Sequence, residues 1–148
     1  VRLTIGKFTV SPGSVNTIPD HVSFSIDLRH PEAATLKALE AEFNKLAQQT
    51  WANCQATLTS LSRVEPVDFP ATLTDLLDNT AQKLDIHAPR LVSGAFHDSI
   101  HLANHCPTAM LFVPCPDGLS HHPDEHTELD DAVAGTQLLA ASLASLTR

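Results

Sequence analysis

The stretch His21–Arg29, HVSFSIDLR, alternates strictly between apolar and polar side chains. Val22, Phe24, Ile26 and Leu28 point one way, and Ser23, Ser25, Asp27 and Arg29 the other. A period of two fits a strand with one buried face, and half-buried strands belong to antiparallel sheets. Upstream, LTIGKFTV over 3–10 reads as a second strand with Gly6 as a bulge, and SPGSVNTIPD is rich in turn formers. Downstream, Pro31 suits a helical first turn. Leu36, Leu39, Phe43, Leu46 and Thr50 then recur at spacings of three and four, which predicts an amphipathic helix over about 31–50. CQATLTSLSRV, 54–64, reads as a further strand. Residues 1–64 are thus expected to form antiparallel α+β structure, one helix covering one sheet face.

EPVDFP, with two prolines in six residues, marks a boundary near 66. A helix over about 70–85 is expected beyond it, with Leu73, Leu76, Leu77, Ala81 and Leu84 on one side. RLVSGAFHDS leads from a short strand through a small-residue turn into a short helix. The continuous apolar run TAMLFVPC, 108–115, reads as a strand buried on both faces, as in a parallel or mixed sheet. The last helix is expected over 128–147, with Thr127 as N-cap and Glu128, Asp130 and Asp131 in the first turn. Its buried stripe reads Leu129, Ala132, Val133, Thr136, Leu139, Ala140 and Leu143. This second part has the form of the closing portion of an α/β sandwich. There, sites gather in loops after the carboxyl ends of strands, which joins SGAFHDS and CPDGLSHHPDE into one expected site.

A formal net charge of −8 argues against nucleic-acid and anionic-membrane partners, although a local Arg can still hold a small anion. No apolar run approaches the ~20 residues that span a bilayer. Cys54, Cys106 and Cys115 are an odd number without CxxC spacing and read as reduced thiols in a cytoplasmic protein. The chain opens directly on strand-like alternation without an initiator Met or a signal peptide, so it is expected to begin inside a larger protein.

Histidine is the compositional outlier: six of nine lie between His97 and His126. His97, His101 and His105 stand at i, i+4 and i+8, which on a helix is one face able to share a metal or simply to meet water. HExxH is absent, and Pro107 ends the helix. In SHHPDEH, a Pro-containing loop can hold an imidazole at fixed geometry, with Ser120, Asp124 or Glu125 as acceptor for the ring. A solvated loop is the plain alternative. Arg29, at the polar end of its strand, suits either a bidentate carboxylate clamp or an ion pair with Asp27 or Asp20. P-loop, GxGxxG and Ser-His-Asp orders are absent, and nothing in the sequence marks Cys115 as activated.

Three blocks, SPGSVNTIPDHVSFSIDLRHPE, SGAFHDSIHLA and PTAMLFVPCPDGLSHHPDEHT, together resemble the amidase/hydantoinase/carbamoylase group of the zinc-dependent exopeptidase superfamily. That group contains N-carbamoyl-L-amino-acid hydrolases, beta-ureidopropionases and allantoate amidohydrolases. The resemblance covers essentially the whole chain. It implies that residues 1–66 are the C-terminal part of an α+β lid domain that mediates homodimerisation. Residues 67–148 would be the C-terminal part of an α/β catalytic domain binding two divalent metal ions, zinc or in places Mn, Co or Ni.

The resemblance further implies individual roles. His121 matches the last metal ligand. Asn16 and Arg29, thirteen residues apart, match the lid pair that grips the substrate carboxylate. Gly94, His97 and Asp98 match the pocket-lining loop, with His97 set to orient or stabilise the tetrahedral intermediate. Phe96 stands where the group usually has Gly, which narrows the pocket or shifts the loop. His122 falls where Asn is frequent, and His101, His105 and His126 receive no role. The other ligands and the general-base Glu belong to an upstream half, so this chain alone is expected to be inactive. The implied reaction is metal-dependent hydrolysis of the carbamoyl or ureido C–N bond of a small carboxylated substrate. The alternatives are an aminoacylase or exopeptidase of the same superfamily, and a non-catalytic dimerisation or ligand-binding module.

Overall fold

A computed structural model describes residues 1–147 of the chain. Its mixed α/β architecture divides into two compact units, Val1–Pro66 with Val92–Ala95, and Val67–Leu91 with the chain from Phe96 onward. No described helix is long and apolar enough to cross a membrane.

The first unit is organised by an antiparallel hairpin, β1 (Arg2–Ser11) and β2 (His21–Arg29). The register pairs Arg2 with Arg29, Leu3 with Leu28, Thr4 with Asp27 and Ile5 with Ile26, and then Phe8 with Phe24 and Val10 with Val22. Between Ile5 and Phe8 the first strand carries one extra residue, the bulge expected at Gly6. Its consequence is geometric. Leu3 and Ile5 are odd-numbered, Phe8 and Val10 even-numbered, and without the extra residue the two pairs would face opposite ways. The bulge places all four on one face, where Phe8 stacks on Phe24 at 5.8 Å between ring centroids. Lys7, released from the ladder, donates its backbone N–H to Ser25 Oγ at 2.9 Å.

Helix α1 (Ala33–Gln48) follows. Pro31 lies ahead of its N-cap, Glu32, rather than in the first turn. The strand expected at 54–64 is not formed. The chain makes one isolated bridge, Trp51 with Cys54, and 55–64 has no ladder. The side-chain pattern of that segment reports which residues tolerate water, whereas a strand needs a neighbouring backbone to take its N–H and C=O groups. The same holds for the strands expected at the start of RLVSG and over 108–115: the only ladder among the described residues is β1 with β2. Cys115, closing the apolar run, does adopt extended backbone (φ −122°, ψ 126°).

In the second unit α2 (Ala71–Lys83) packs against α4 (Leu129–Leu146), with the short α3 (Ser99–Ala103) between them in sequence. Ala81 on α2 and Leu138 on α4 are 2% and 3% exposed, with Thr80 and Ser142 buried beside them. Thr80 discharges its hydroxyl onto the Leu76 carbonyl at 2.7 Å. Arg90 reaches back to Asp75 and Asp78 on α2.

The buried face of α4 differs from the expected stripe. Asp131, Gly135, Leu138 and Ser142 are turned inward at helical spacing, whereas Leu129 is 76% exposed and Val133, Leu139 and Leu143 are also exposed. Apolar residues ring this helix, so close approach decided the face. A Cβ on Gly135 would lie 2.6 Å from Val113 Cγ1, so the helix can approach the 108–115 run only where it carries no side chain. The N-cap is Glu128, not Thr127. Thr127 instead donates its hydroxyl to the Pro114 carbonyl at 2.7 Å and fastens the loop to the end of the apolar run.

Ser142 Oγ is buried without a hydrogen-bond partner among the described residues. A desolvated, unpaired hydroxyl costs about 1–3 kcal/mol. Ser142→Ala is therefore expected to stabilise the second unit by about 1 kcal/mol, allowing for lost packing. Urea denaturation followed by circular dichroism measures it, and a loss of stability would show that the hydroxyl is satisfied in solution.

Candidate functional site

The polar face of the hairpin carries the first cluster. Arg29 ends β2, and its Nε and Nη2 donate to the two oxygens of Asp27, at 2.7 and 2.9 Å. Its Nη1 donates to the Gly94 carbonyl at 2.9 Å, tying the strand end to the 92–95 segment. Two residues expected from sequence at the substrate, Arg29 and Gly94, are thus brought into direct contact. The ion pair with Asp27 is also formed, so Arg29 is oriented before any ligand arrives. Asn16 sits in the connection between the strands, where its Oδ1 accepts the Ser14 hydroxyl at 2.7 Å.

The hydrogen bond from Arg29, followed by its charge, holds the Asp27 carboxyl below the usual aspartate value of 3.8. The same bond raises Arg29. A depressed carboxyl contributes stability above its unfolded pKa and loses it as pH falls through its folded value. The tie between β2 and Gly94 is therefore expected to persist at neutral pH and loosen only below 3.8. An NMR titration of the Asp27 carboxyl carbon checks this, and a midpoint at or above the ordinary value would contradict the pairing.

Arg2, which sequence reading passed over, lies directly opposite Arg29 in the ladder. Its guanidinium covers Gly94: a Cβ built there would lie 2.6 Å from Arg2 Cζ and 3.0 Å from its Nε. A Cβ there would require the Arg2 head group to shift. Among the described residues Arg2 has no carboxylate partner.

In the second unit His97 and Asp98 precede α3, and the His97 ring meets Phe112 edge-on at 5.5 Å. The helix is too short to align His97, His101 and His105 on one face, since it spans Ser99–Ala103 alone. His101 instead meets Phe96 edge-on at 5.4 Å.

His121 occupies a tight loop after a 3₁₀ turn at Pro116–Gly118. Its backbone is left-handed, φ 56°, a conformation that costs an L-residue about 1–2 kcal/mol. The Glu125 carboxylate accepts the His121 N–H at 2.8 Å and closes the loop. One of the three acceptors expected for the ring, Glu125, is thus spent on the His121 backbone. His121 is exposed, and its ring has no hydrogen bond among the described residues. His122 Nδ1 accepts from the Asp124 N–H at 3.2 Å. His126 is raised above its ordinary pKa by the Asp124 carbonyl first and Glu128 second, so its charged form is favoured beyond the usual range.

No group of three or more His, Cys, Asp or Glu stands together in metal-holding geometry among the described residues. The side chains of this chain do not by themselves fit a metal centre. Carboxylate recognition by guanidinium groups and glycine-opened backbone is what the first cluster can do unaided.

Residues 2–145 match Peptidase family M20/M25/M40. The chain belongs to the M20/M25/M40 family. Within it, the chain is 32% identical to an N-carbamoyl-L-amino-acid amidohydrolase of Paenarthrobacter aurescens, over 98% of this chain and 36% of that protein. It is 33% identical to an allantoate amidohydrolase of Bacillus subtilis, over 99% and 36%. Among solved structures, an amidase of the hydantoinase/carbamoylase family from Burkholderia multivorans superposes with a TM-score of 0.85 at 32% identity, over 97% of this chain and 36% of that one. The M20 chain thus spans about a third of the length of the curated relatives it matches.

The left-handed backbone at His121 makes Glu125 the prop of the M20 chain's histidine loop. Glu125→Ala is expected to speed amide exchange at His121 about tenfold, while exchange in α4 stays unchanged. Unaltered exchange at His121 would show that the loop holds without the carboxylate.

Proposed function

We propose that this chain supplies the substrate-gripping and closing portions of a metal-dependent amidohydrolase that cleaves the carbamoyl or ureido C–N bond of a small carboxylated substrate. The observation that carries the reading is the Arg29–Gly94 hydrogen bond. It joins the strand end that resembles the family's carboxylate grip to the loop that resembles its pocket lining. Support comes also from the relatives, whose names include N-carbamoyl-L-amino-acid and allantoate amidohydrolases. In this reading residues 1–66 belong to a lid and dimerisation domain, 67–148 to the catalytic domain, and the enzyme is a cytoplasmic homodimer.

Each residue has a stated part. Asn16 and Arg29 hold the substrate carboxylate, with Asp27 fixing the guanidinium plane. Gly94 accepts Arg29 Nη1 on its carbonyl and leaves room for the Arg2 head group at its Cα, so both arginines stand at the pocket edge. His97, steadied by the edge of Phe112, and Asp98 line the pocket beside the carbonyl under attack. His121 contributes one ligand to a divalent metal site, which when complete would supply an activated water. A lone imidazole binds such an ion too weakly to do so, so the 148 residues alone are expected to be inert.

A second reading, cleavage of ordinary peptide bonds, is favoured by the family's peptidase name. A chimera separates the two, with this chain replacing the matching third of the Paenarthrobacter aurescens relative. It is expected to release ammonia from N-carbamoyl-L-amino acids and to leave dipeptides intact, while the isolated chain does neither. Preference for dipeptides would support the peptidase, and turnover by the isolated chain would refute the division of the site.

A further inference from the structure

The charges around Gly94 do not balance. Arg29 is matched by Asp27, which occupies its Nε and Nη2. Arg2 stands opposite Arg29 in the ladder, on the same face, and no described carboxylate meets it. Like charges directly opposite one another in an antiparallel pair are destabilising. The arrangement is therefore a cost to the hairpin unless something anionic completes it. The guanidinium of Arg2 occupies the space that a side chain at position 94 would take, so a Cβ there would shift it.

We infer that Arg2 is a second guanidinium of the carboxylate site and the one that supplies its net positive charge. Asp27 cancels Arg29, leaving Arg29 to orient a ligand through its remaining N–H groups. Arg2, Arg29 and Asp27 together carry a net charge of about +1, which one carboxylate neutralises. The ligand class is a small monocarboxylate held by the Arg2 and Arg29 guanidinium groups where both meet Gly94. This inference rests on the proposed carboxylate grip and assigns its electrostatics to a residue that the family resemblance does not mark.

The test uses the 148-residue chain and two probes, N-carbamoylglycine and its neutral amide, with binding followed at the Gly94 amide by NMR. Wild type is expected to bind the carboxylate and to bind the amide about ten- to a hundredfold more weakly. Arg2→Gln, checked for an unchanged hairpin spectrum, is expected to lose a similar factor for the carboxylate and little for the amide. Arg2→Lys, which keeps the charge, should recover most of the loss. Gly94→Ala, which keeps both arginines but evicts the Arg2 head group, should weaken binding as Arg2→Gln does. Undiminished carboxylate binding by a folded Arg2→Gln chain overturns the inference, as does wild type that fails to bind or to distinguish the two probes. The two proposals fail separately. Should acetate bind with the same Arg2 dependence while the chimera turns over nothing, this inference stands and the proposed function falls. Chimera turnover with KM unchanged by Arg2→Gln gives the converse.

Discussion

The single extra residue between Ile5 and Phe8 governs the first unit. Strand side chains alternate faces, so one inserted residue inverts everything on one side of it relative to the other. With the insertion, Leu3, Ile5, Phe8 and Val10 share a face with Val22, Phe24, Ile26 and Leu28. By the same step Arg2 and Thr4 join Asp27 and Arg29 on the polar face. Removing the bulge while keeping the Phe8–Phe24 pairing would turn Arg2 toward the apolar side and away from Gly94. The apolar register and the cationic pair are thus two results of one backbone irregularity, at a glycine whose neighbour Lys7 finds its partner in Ser25.

What could be read from the sequence follows from which physics the pattern encodes. Alternation in HVSFSIDLR and the three-four spacing after Pro31 report faces, and β2 and α1 formed where expected, to within two residues for the helix. Hydropathy pattern cannot report a pairing partner, and neither the segment at 54–64 nor the continuous apolar run at 108–115 has one among the described residues. In α4, Ala and Leu surround the helix, so hydropathy favours no single direction. Its inward face was chosen by the smallness of Gly135 and Ser142, two residues that a hydrophobic stripe leaves out. Thr127 has the chemistry of a cap, but an available carbonyl at Pro114 took its hydroxyl.

The candidate site was legible in a similarly uneven way. Arg29 and Gly94 were visible through the motifs they sit in, and the geometry sets them 2.9 Å apart although they are 65 positions apart in sequence. Arg2 was not visible and Glu125 was visible only as a possible partner of a ring, because each acts through a relation that no local motif states. Arg2 matters by standing opposite Arg29, and the signal was available only after the bulge had fixed the register. Glu125 matters by bonding the backbone of His121, whereas sequence reasoning looked for an acceptor for the ring. His97, His101 and His105 show the reverse error: an i, i+4, i+8 spacing implies one face only if the helix is long enough to carry it, and α3 ends at Ala103.

A chain with a formal charge of −8 that gathers two guanidinium groups at one glycine separates global from local electrostatics. At physiological ionic strength charges beyond about 8 Å are largely screened. On the proposed reading an anion at Gly94 is met first by Arg2 and Arg29, which contact that residue, and by Asp27, which pairs with Arg29. The acidic remainder disfavours large polyanions, which would come within that screening distance of many surface carboxylates at once. On the proposed carboxylate reading, small size is a condition of binding as much as negative charge is, since a short monocarboxylate fits within the screened neighbourhood of the two arginines.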